Sequence, residues 1–160
     1  MQLVPGRDYF YCEYCMSFAF PERSADGVVV LGEESDLPCP VCSTGLVSAS
    51  VARHGVLHCS KCRGILARQE VFGDIVKYLR THASGPPESP QPLDPAELRR
   101  RIHCPGCGRL METHPYYGPG NSIIDTCMHC GVIWLDYGEL DVIINAPGRD
   151  RRQKNGPRWG

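Results

Sequence analysis

Apolar residues recur with two different periods along this 160-residue chain. Short apolar runs from Leu46 to Val51 and at Val56-Leu57, broken by Arg53-His54-Gly55, predict a β-hairpin. The same plan returns later: Leu110 to Thr113 leads out, Tyr117-Gly118-Pro119-Gly120-Asn121 turns, and Ile123-Ile124 leads back. A further hairpin is predicted near the start, with Met16 to Phe20 outward, a turn at Asp26-Gly27, and Val28 to Leu31 returning. Between Gln69 and Arg80 the period lengthens. Val71, Phe72, Ile75, Val76 and Leu79 recur at three- and four-residue steps, which puts them on one face of a helix. Leu140, Val142, Ile143 and Ile144 predict a shorter helix over 138–145, stopped before Pro147-Gly148. Asp94-Pro95 supplies an N-cap and a first-turn proline for a third helix, Pro95 to about Arg101.

Cysteines punctuate these elements. Ten of them form five C-x-x-C pairs: Cys12/Cys15, Cys39/Cys42, Cys59/Cys62, Cys104/Cys107 and Cys127/Cys130. Each pair is a knuckle that projects two thiolates from one tight turn, and two knuckles close a tetrahedral site. The N-terminus shows no basic n-region, apolar h-region or cleavage site, and no stretch is apolar enough to span a membrane. The expected location is therefore the reducing cytoplasm, where paired cysteines hold metal rather than form disulfides.

The hairpins decide how the knuckles pair. Cys39-Pro-Val-Cys42 and Cys104-Pro-Gly-Cys107 precede the two hairpins, and Cys59-Ser-Lys-Cys62 and Cys127-Met-His-Cys130 follow them. Knuckle, hairpin, knuckle is the zinc-ribbon plan, present twice. The alternative pairs Cys12/Cys15 with Cys39/Cys42 around the first hairpin and strands Cys59/Cys62; the internal repeat favours the former. The fold class is thus a small metal-stabilised α+β chain of two tandem zinc ribbons, each followed by a short helix. Two Zn²⁺ ions are expected, on Cys39, Cys42, Cys59, Cys62 and on Cys104, Cys107, Cys127, Cys130. Cys12 and Cys15 are candidates for a third, with His54 or His58 as further ligands.

Composition sets the boundaries. Residues 83–95 hold five prolines and little to bury, and read as a linker. The expected parts are a knuckle and hairpin at 1–38, ribbon 1 with its helix at 39–82, the linker at 83–95, ribbon 2 at 96–148, and a basic tail at 149–160. The net charge of −1 conceals segregation: residues 1–38 sum to −5, residues 39–82 to +4 and residues 149–160 to +4.

Cys-Pro-Gly-Cys at 104–107, a hairpin, and DTCMHCGVIWLDYGEL at 125–140 resemble the transcription factor IIB-type zinc-ribbon family (zf-TFIIB). Its pattern is CPxC, a spacer, then CxxCGGxWLDxGEL. Trp134, Leu135, Asp136, Gly138, Glu139 and Leu140 match it, and Val132 replaces the second glycine. Residues 39–79 resemble a diverged copy: Arg63 and Gly64 follow its last cysteine, while Leu66, Arg68 and Glu70 stand in place of Trp, Asp and Gly. The resemblance implies a relationship to transcription machinery and a structural label more than an activity.

Four thiolates per site close the coordination of zinc and leave no vacancy for water, so the expected metal role is structural and the chain is read as a non-enzymatic binding module. A protein of the transcription machinery is the expected partner, with nucleic acid second because the near-neutral pI of 6.6 is far from that of a DNA-binding domain. Candidate contacts are Arg99, Arg100 and Arg101, Tyr116 and Tyr117, and Arg151, Arg152 and Lys154. His103 and His129 read as exposed knuckle residues, Trp134 as a core anchor, and Asp136 with Glu139 as an N-cap and its capping-box partner. Two other functions compete: rubredoxin-like iron electron transfer at the C-x-x-C-G knuckles, and thiol redox chemistry at Cys12/Cys15.

Overall fold

The computed structural model of the chain describes residues 27–83, 85–89, 92–148 and 150–151, together with Tyr14 and the short strands β1 (Gln2–Leu3), β2 (Phe10–Cys12) and β3 (Ser17–Ala19). These three strands form a small antiparallel sheet in the order β1-β2-β3. The Cys12 and Cys15 side chains lie outside the described residues, as do Arg152 and Lys154.

The chain then runs through β4 (Val29–Pro38), β5 (Gly45–Val51), β6 (His54–His58), β7 (Ile65–Arg68) and α1 (Gln69–His82). After α2 (Pro95–Arg99) come β8 (Glu112–Pro115), β9 (Ile123–Cys127), β10 (Val132–Leu135) and α3 (Glu139–Asn145). Seven of these strands make one sheet in the order β4-β5-β6-β7-β10-β9-β8, antiparallel throughout. The two predicted helices following the ribbons are α1 and α3, and Asp94 caps α2 by accepting from Ala96 N at 2.9 Å.

Three expectations change. β3 pairs with β2 rather than with the returning strand, and β4 pairs with β5 instead. The β5–β6 turn is Ala52-Arg53, one residue earlier than expected, with φ of 49° and 65°. A two-residue turn with both φ positive matches the twist of its flanking strands, which decides the register despite the cost to non-glycine residues. The N-cap of α3 is Gly138, at φ 87°, and the Asp136 side chain accepts from the Trp134 indole Nε1 at 3.0 Å. The reciprocal half of the expected capping box does form, Asp136 N donating to Glu139 Oε2 at 2.8 Å.

The strands the periodicity missed, β7 and β10, join the two ribbons. Arg68 pairs with Val132, Ala67 with Ile133, Leu66 with Trp134 and Ile65 with Leu135. Leu66 and Trp134 occupy equivalent places in the two repeats, so an approximate two-fold axis passes between them. Alternation sorts these strands onto two buried faces. Ile65, Ala67, Ile133 and Leu135 face α1 and α3, where Phe72, Ile75, Leu140 and Ile143 complete the core. Leu66 and Trp134 face the other way, among Leu46, Ile102, Met111 and the metal-site cysteines.

Trp134 is fully buried and its six-membered ring lies over Gly64, where any Cβ would overlap Cζ2 and Cη2. Burying an indole removes roughly 150–250 Å² from water, worth about 4–6 kcal/mol at 25 cal/mol per Å². Its one polar atom is satisfied by Asp136, so little of that is lost to desolvation. Polar anchors flank the seam. Arg80 on α1, with no exposed surface, donates to Ile143 O at 2.6 Å and Ala146 O at 2.9 Å and forms two 2.7 Å bonds to Asp150. A cation from ribbon 1 thus caps the C-terminal carbonyls of the ribbon 2 helix.

Gly64→Ala should lower stability by about 1–3 kcal/mol through overpacking. In a Trp159→Phe background it should also shift Trp134 emission to the red; an unchanged melting midpoint and spectrum would contradict the seam geometry.

Candidate metal centres

Local turns build each half-site. In the first knuckle Cys39 N donates to Thr44 O at 2.7 Å and Ser43 N to Cys39 O at 2.9 Å. The same pair of bonds recurs at Cys59 with Gly64 and Arg63, and at Cys104 with Arg109 and Gly108; Gly131 N to Cys127 O at 2.8 Å marks the fourth knuckle. The residue after the second cysteine must turn left-handed to close each loop. Ser43, Arg63, Gly108 and Gly131 do so at φ 63°, 60°, 75° and 66°. Ribbon 2 uses glycine there, and ribbon 1 holds two residues with a Cβ in a region that costs roughly 1–2 kcal/mol each.

Backbone N–H groups point at the thiols. Val41 N and Cys42 N donate to Cys39 Sγ at 3.4 and 3.5 Å, Cys62 N to Cys59 Sγ at 3.4 Å, and Cys130 N to Cys127 Sγ at 3.4 Å. The four sulfurs of each group, Cys39, Cys42, Cys59, Cys62 and Cys104, Cys107, Cys127, Cys130, lie within 4.8 Å of one another. Cys39 and Cys62 are 3.6 Å apart, Cys42 and Cys59 3.3 Å, and Cys107 and Cys127 3.6 Å. A tetrahedron with Zn–S bonds of 2.3 Å has edges of about 3.8 Å. All eight cysteines are free of disulfides. The donor set therefore fits a tetrahedral thiolate-bound ion at both places.

Electrostatics points the same way. Thiols of Cys39 and Cys62 donate to Cys59 and pull it far below the usual thiol range. The contact with Cys59 pushes Cys39 up to about 12, and contacts with Cys39 and then Cys59 push Cys62 higher still. In the second group the bond with Cys107 pushes Cys130 up to about 12. At Cys127 burial acts upward, but donation by the Cys130 N–H and by the thiols of Cys107 and Cys104 outweighs it, to about 7. Negative charge on one sulfur of such a group opposes charge on its neighbours, as at Cys62 and Cys130. A divalent ion removes that opposition, and its binding releases protons. The first group is the more enclosed: Cys39, Cys59 and Cys62 are buried, whereas Cys130 of the second is exposed.

The other candidate residues separate into two kinds. Arg99 and Arg101 are exposed, as a solvated run requires, but Arg100 turns inward. It sits 2.9 Å from Asp125 and 2.8 Å from Asp136. Burial opposes the charge on Arg100, yet the two carboxylates outweigh it and hold the guanidinium protonated. Asp125 is fully buried, which pushes its carboxyl up, against the 2.6 Å bond from Thr113 Oγ1 and the pull of Arg100. Arg151 is also buried and donates to Ile144 O, Gly85 O and Asn145 Oδ1. Tyr116 packs edge-on against Phe72 at 5.4 Å, and Tyr117 is exposed and stacked on His114 at 5.2 Å. His103 and His129 are exposed.

Sequence reasoning named Gly64 and Phe72 without giving them a part in a site, and passed over Gln69, Glu112 and Met128. Gly64 left a signal: ribbon 1 keeps the second glycine and lacks the tryptophan, ribbon 2 keeps the tryptophan and lacks the glycine. The remaining four gather only when the seam forms, so no local pattern marks them as a group.

Ser43→Gly should stabilise the metal-loaded protein by about 1 kcal/mol in denaturant melts by removing left-handed strain; a destabilised variant would contradict the turn geometry. Cys104→Ser with Cys127→Ser should lower the metal content by one ion per chain in native mass spectrometry. Loss of metal from both groups of the intact chain should increase as pH falls, because protons compete for the same thiolates.

Residues 103–146 match a family model for a TFIIB-type zinc ribbon, described as a transcription factor zinc-finger. No curated protein and no solved structure matches the chain. Residues 103–146 are thus similar to the zinc ribbon of the transcription factor zinc-finger family, and a second four-cysteine group at 39–62 precedes them in the same sheet.

Proposed function

We propose that the chain is a zinc-stabilised, non-enzymatic interaction module whose partner is a protein of the transcription machinery. The observation that carries this reading is the pair of complete four-cysteine groups, each set between paired strands. Four thiolates around zinc leave no position for substrate or water and transfer enough charge to weaken the ion as a Lewis acid. Zinc bound there would contribute folding free energy, on the order of 10–16 kcal/mol per structural site in peptide models.

The choice of a protein over nucleic acid as partner rests on charge. Two of the cations that sequence alone offers to phosphate, Arg100 and Arg151, are committed to internal acceptors. Residues 103–146 carry Arg109 against Glu112, Asp125, Asp136, Glu139 and Asp141, a sum of −4. Each zinc with four thiolates adds further negative charge. Residues 103–146 thus offer no excess of cations to a phosphate backbone, whose neutralisation requires several lysines or arginines.

Affinity capture with the zinc-loaded protein from its own cell extract, with and without nuclease, tests the reading. A transcription-machinery protein should be retained unchanged after nuclease treatment. Capture that disappears with nuclease, or a salt-dependent mobility shift of labelled DNA or RNA, would replace the protein partner with nucleic acid.

A further inference from the structure

Between α1 and ribbon 2 lies a groove of about 360 Å³ that neither metal centre uses. Gln69 and Phe72 line it from α1, and Glu112, His114, Tyr117 and Met128 from ribbon 2. It exists because β7 and β10 pair and carry the first ribbon's helix across the second ribbon. Gln69 Nε2 donates to Met128 Sδ across it at 3.4 Å. Its outer rim is apolar and open to solvent: Tyr117 is 87% exposed and Met128 72%. His114 is held in place, Nδ1 to Pro115 O at 2.8 Å and Nε2 to the Thr126 hydroxyl at 3.1 Å, with its ring stacked beneath Tyr117 at an interplanar angle of 15°. The His114 ring thus gives Tyr117 a held surface to stack on at the rim.

We propose that this groove receives an arginine side chain from a basic segment of the partner protein. The proposal rests on the reading of the chain as a protein-binding module and names the partner's chemistry. Among the described residues Glu112 is the one acidic group lining the groove, it is exposed, and no lysine or arginine lines it. Aromatic faces attract cations through the ring quadrupole, and tyrosine with a nearby carboxylate suits a planar guanidinium, which stacks and donates in the same plane. The volume lies at the small end of the range for ligand sites, enough for one long side chain. A nucleotide would bring phosphate toward the carboxylate of Glu112.

The test uses the zinc-loaded full chain, isotopically labelled and titrated by NMR. The probes are an acetylated, amidated Gly-Arg-Gly-Arg-Gly peptide, its lysine counterpart and a short oligothymidylate. The arginine peptide should shift signals of Gln69, Glu112, Tyr117 and Met128 and bind several-fold tighter than the lysine peptide. Glu112→Lys should weaken it about tenfold or more, and Tyr117→Ala several-fold. Both residues are exposed, and equal zinc content and melting midpoints would establish that the variants fold. Glu33→Lys makes the same charge change on β4, at the opposite end of the sheet, and should leave affinity within twofold. Equal weakening by Glu33→Lys and Glu112→Lys would overturn the proposal. So would shifts confined to other segments, or oligothymidylate binding at the groove that Glu112→Lys strengthens. If Glu112→Lys still captures the wild-type's partner while the arginine peptide fails to bind, the groove assignment falls and the module reading stands. If the wild-type captures nothing, it is the module reading that fails.

Discussion

The antiparallel pairing of β7 with β10, with Trp134 lying over Gly64, is the constraint on which the rest of the structure depends. A ribbon by itself ends in an open strand edge and has one face too small to cover a tryptophan. Pairing the two edges satisfies their backbone groups and makes one sheet of seven strands. It also places Trp134 at the centre of the face that carries both sets of cysteines. A single ribbon of about forty residues rarely buries enough apolar surface for stability without a staple. Here two four-cysteine groups able to hold a metal ion lie at the strand ends and the shared core fills the space between them.

The seam is approximately symmetric in backbone and asymmetric in side chains. At the position where the ribbon family pattern has tryptophan, ribbon 1 carries Leu66 and ribbon 2 carries Trp134. At the second glycine position, ribbon 1 keeps Gly64 and ribbon 2 carries Val132. The large and small residues therefore alternate between partners: indole on glycine on one side of the axis, leucine near valine on the other. Volume is conserved across the pair of substitutions, the kind of change a packed core tolerates best. Two copies of ribbon 2 would bring Trp134 against Val132 and lose the seat that Gly64 provides, so the divergence favours the pairing of unlike ribbons. The polar anchors have the same directional character. Arg80 reaches from α1 to the end of α3, and Arg100 ties β9 to the turn before α3. Removing one partner from such a buried group costs more than the pair contributes, which makes these contacts specific as well as stabilising.

Much of this was legible in the sequence, and the gaps have physical causes. The C-x-x-C spacing identified the knuckles because two thiolates at that separation require one kind of turn. The internal repeat paired Cys39/Cys42 with Cys59/Cys62, and three- and four-residue periodicity located α1 and α3 to within a few residues. The strands β7 and β10 were missed because both faces are buried. Ile65-Leu66-Ala67 and Val132-Ile133-Trp134-Leu135 show no alternation, and a short apolar run is compatible with a strand or the start of a helix. Arg100 read as part of a basic run because local sequence cannot reveal Asp125 and Asp136 waiting across the fold. The groove beside Phe72 was invisible for the same reason: its two walls are about forty residues or more apart in the chain.

Metal closure and strand pairing together imply that the two ribbons stand or fall as one unit. Hydrogen exchange on a chain whose second site alone is disabled, by Cys104→Ser with Cys127→Ser, measures this most directly. The account predicts that amide protection falls in β7 and β6 of ribbon 1 as well as in β9 and β10, although the first four cysteines are untouched. Full protection retained throughout ribbon 1, with loss confined to residues 103–146, would contradict the claim that one sheet holds both metal centres in a single cooperative structure.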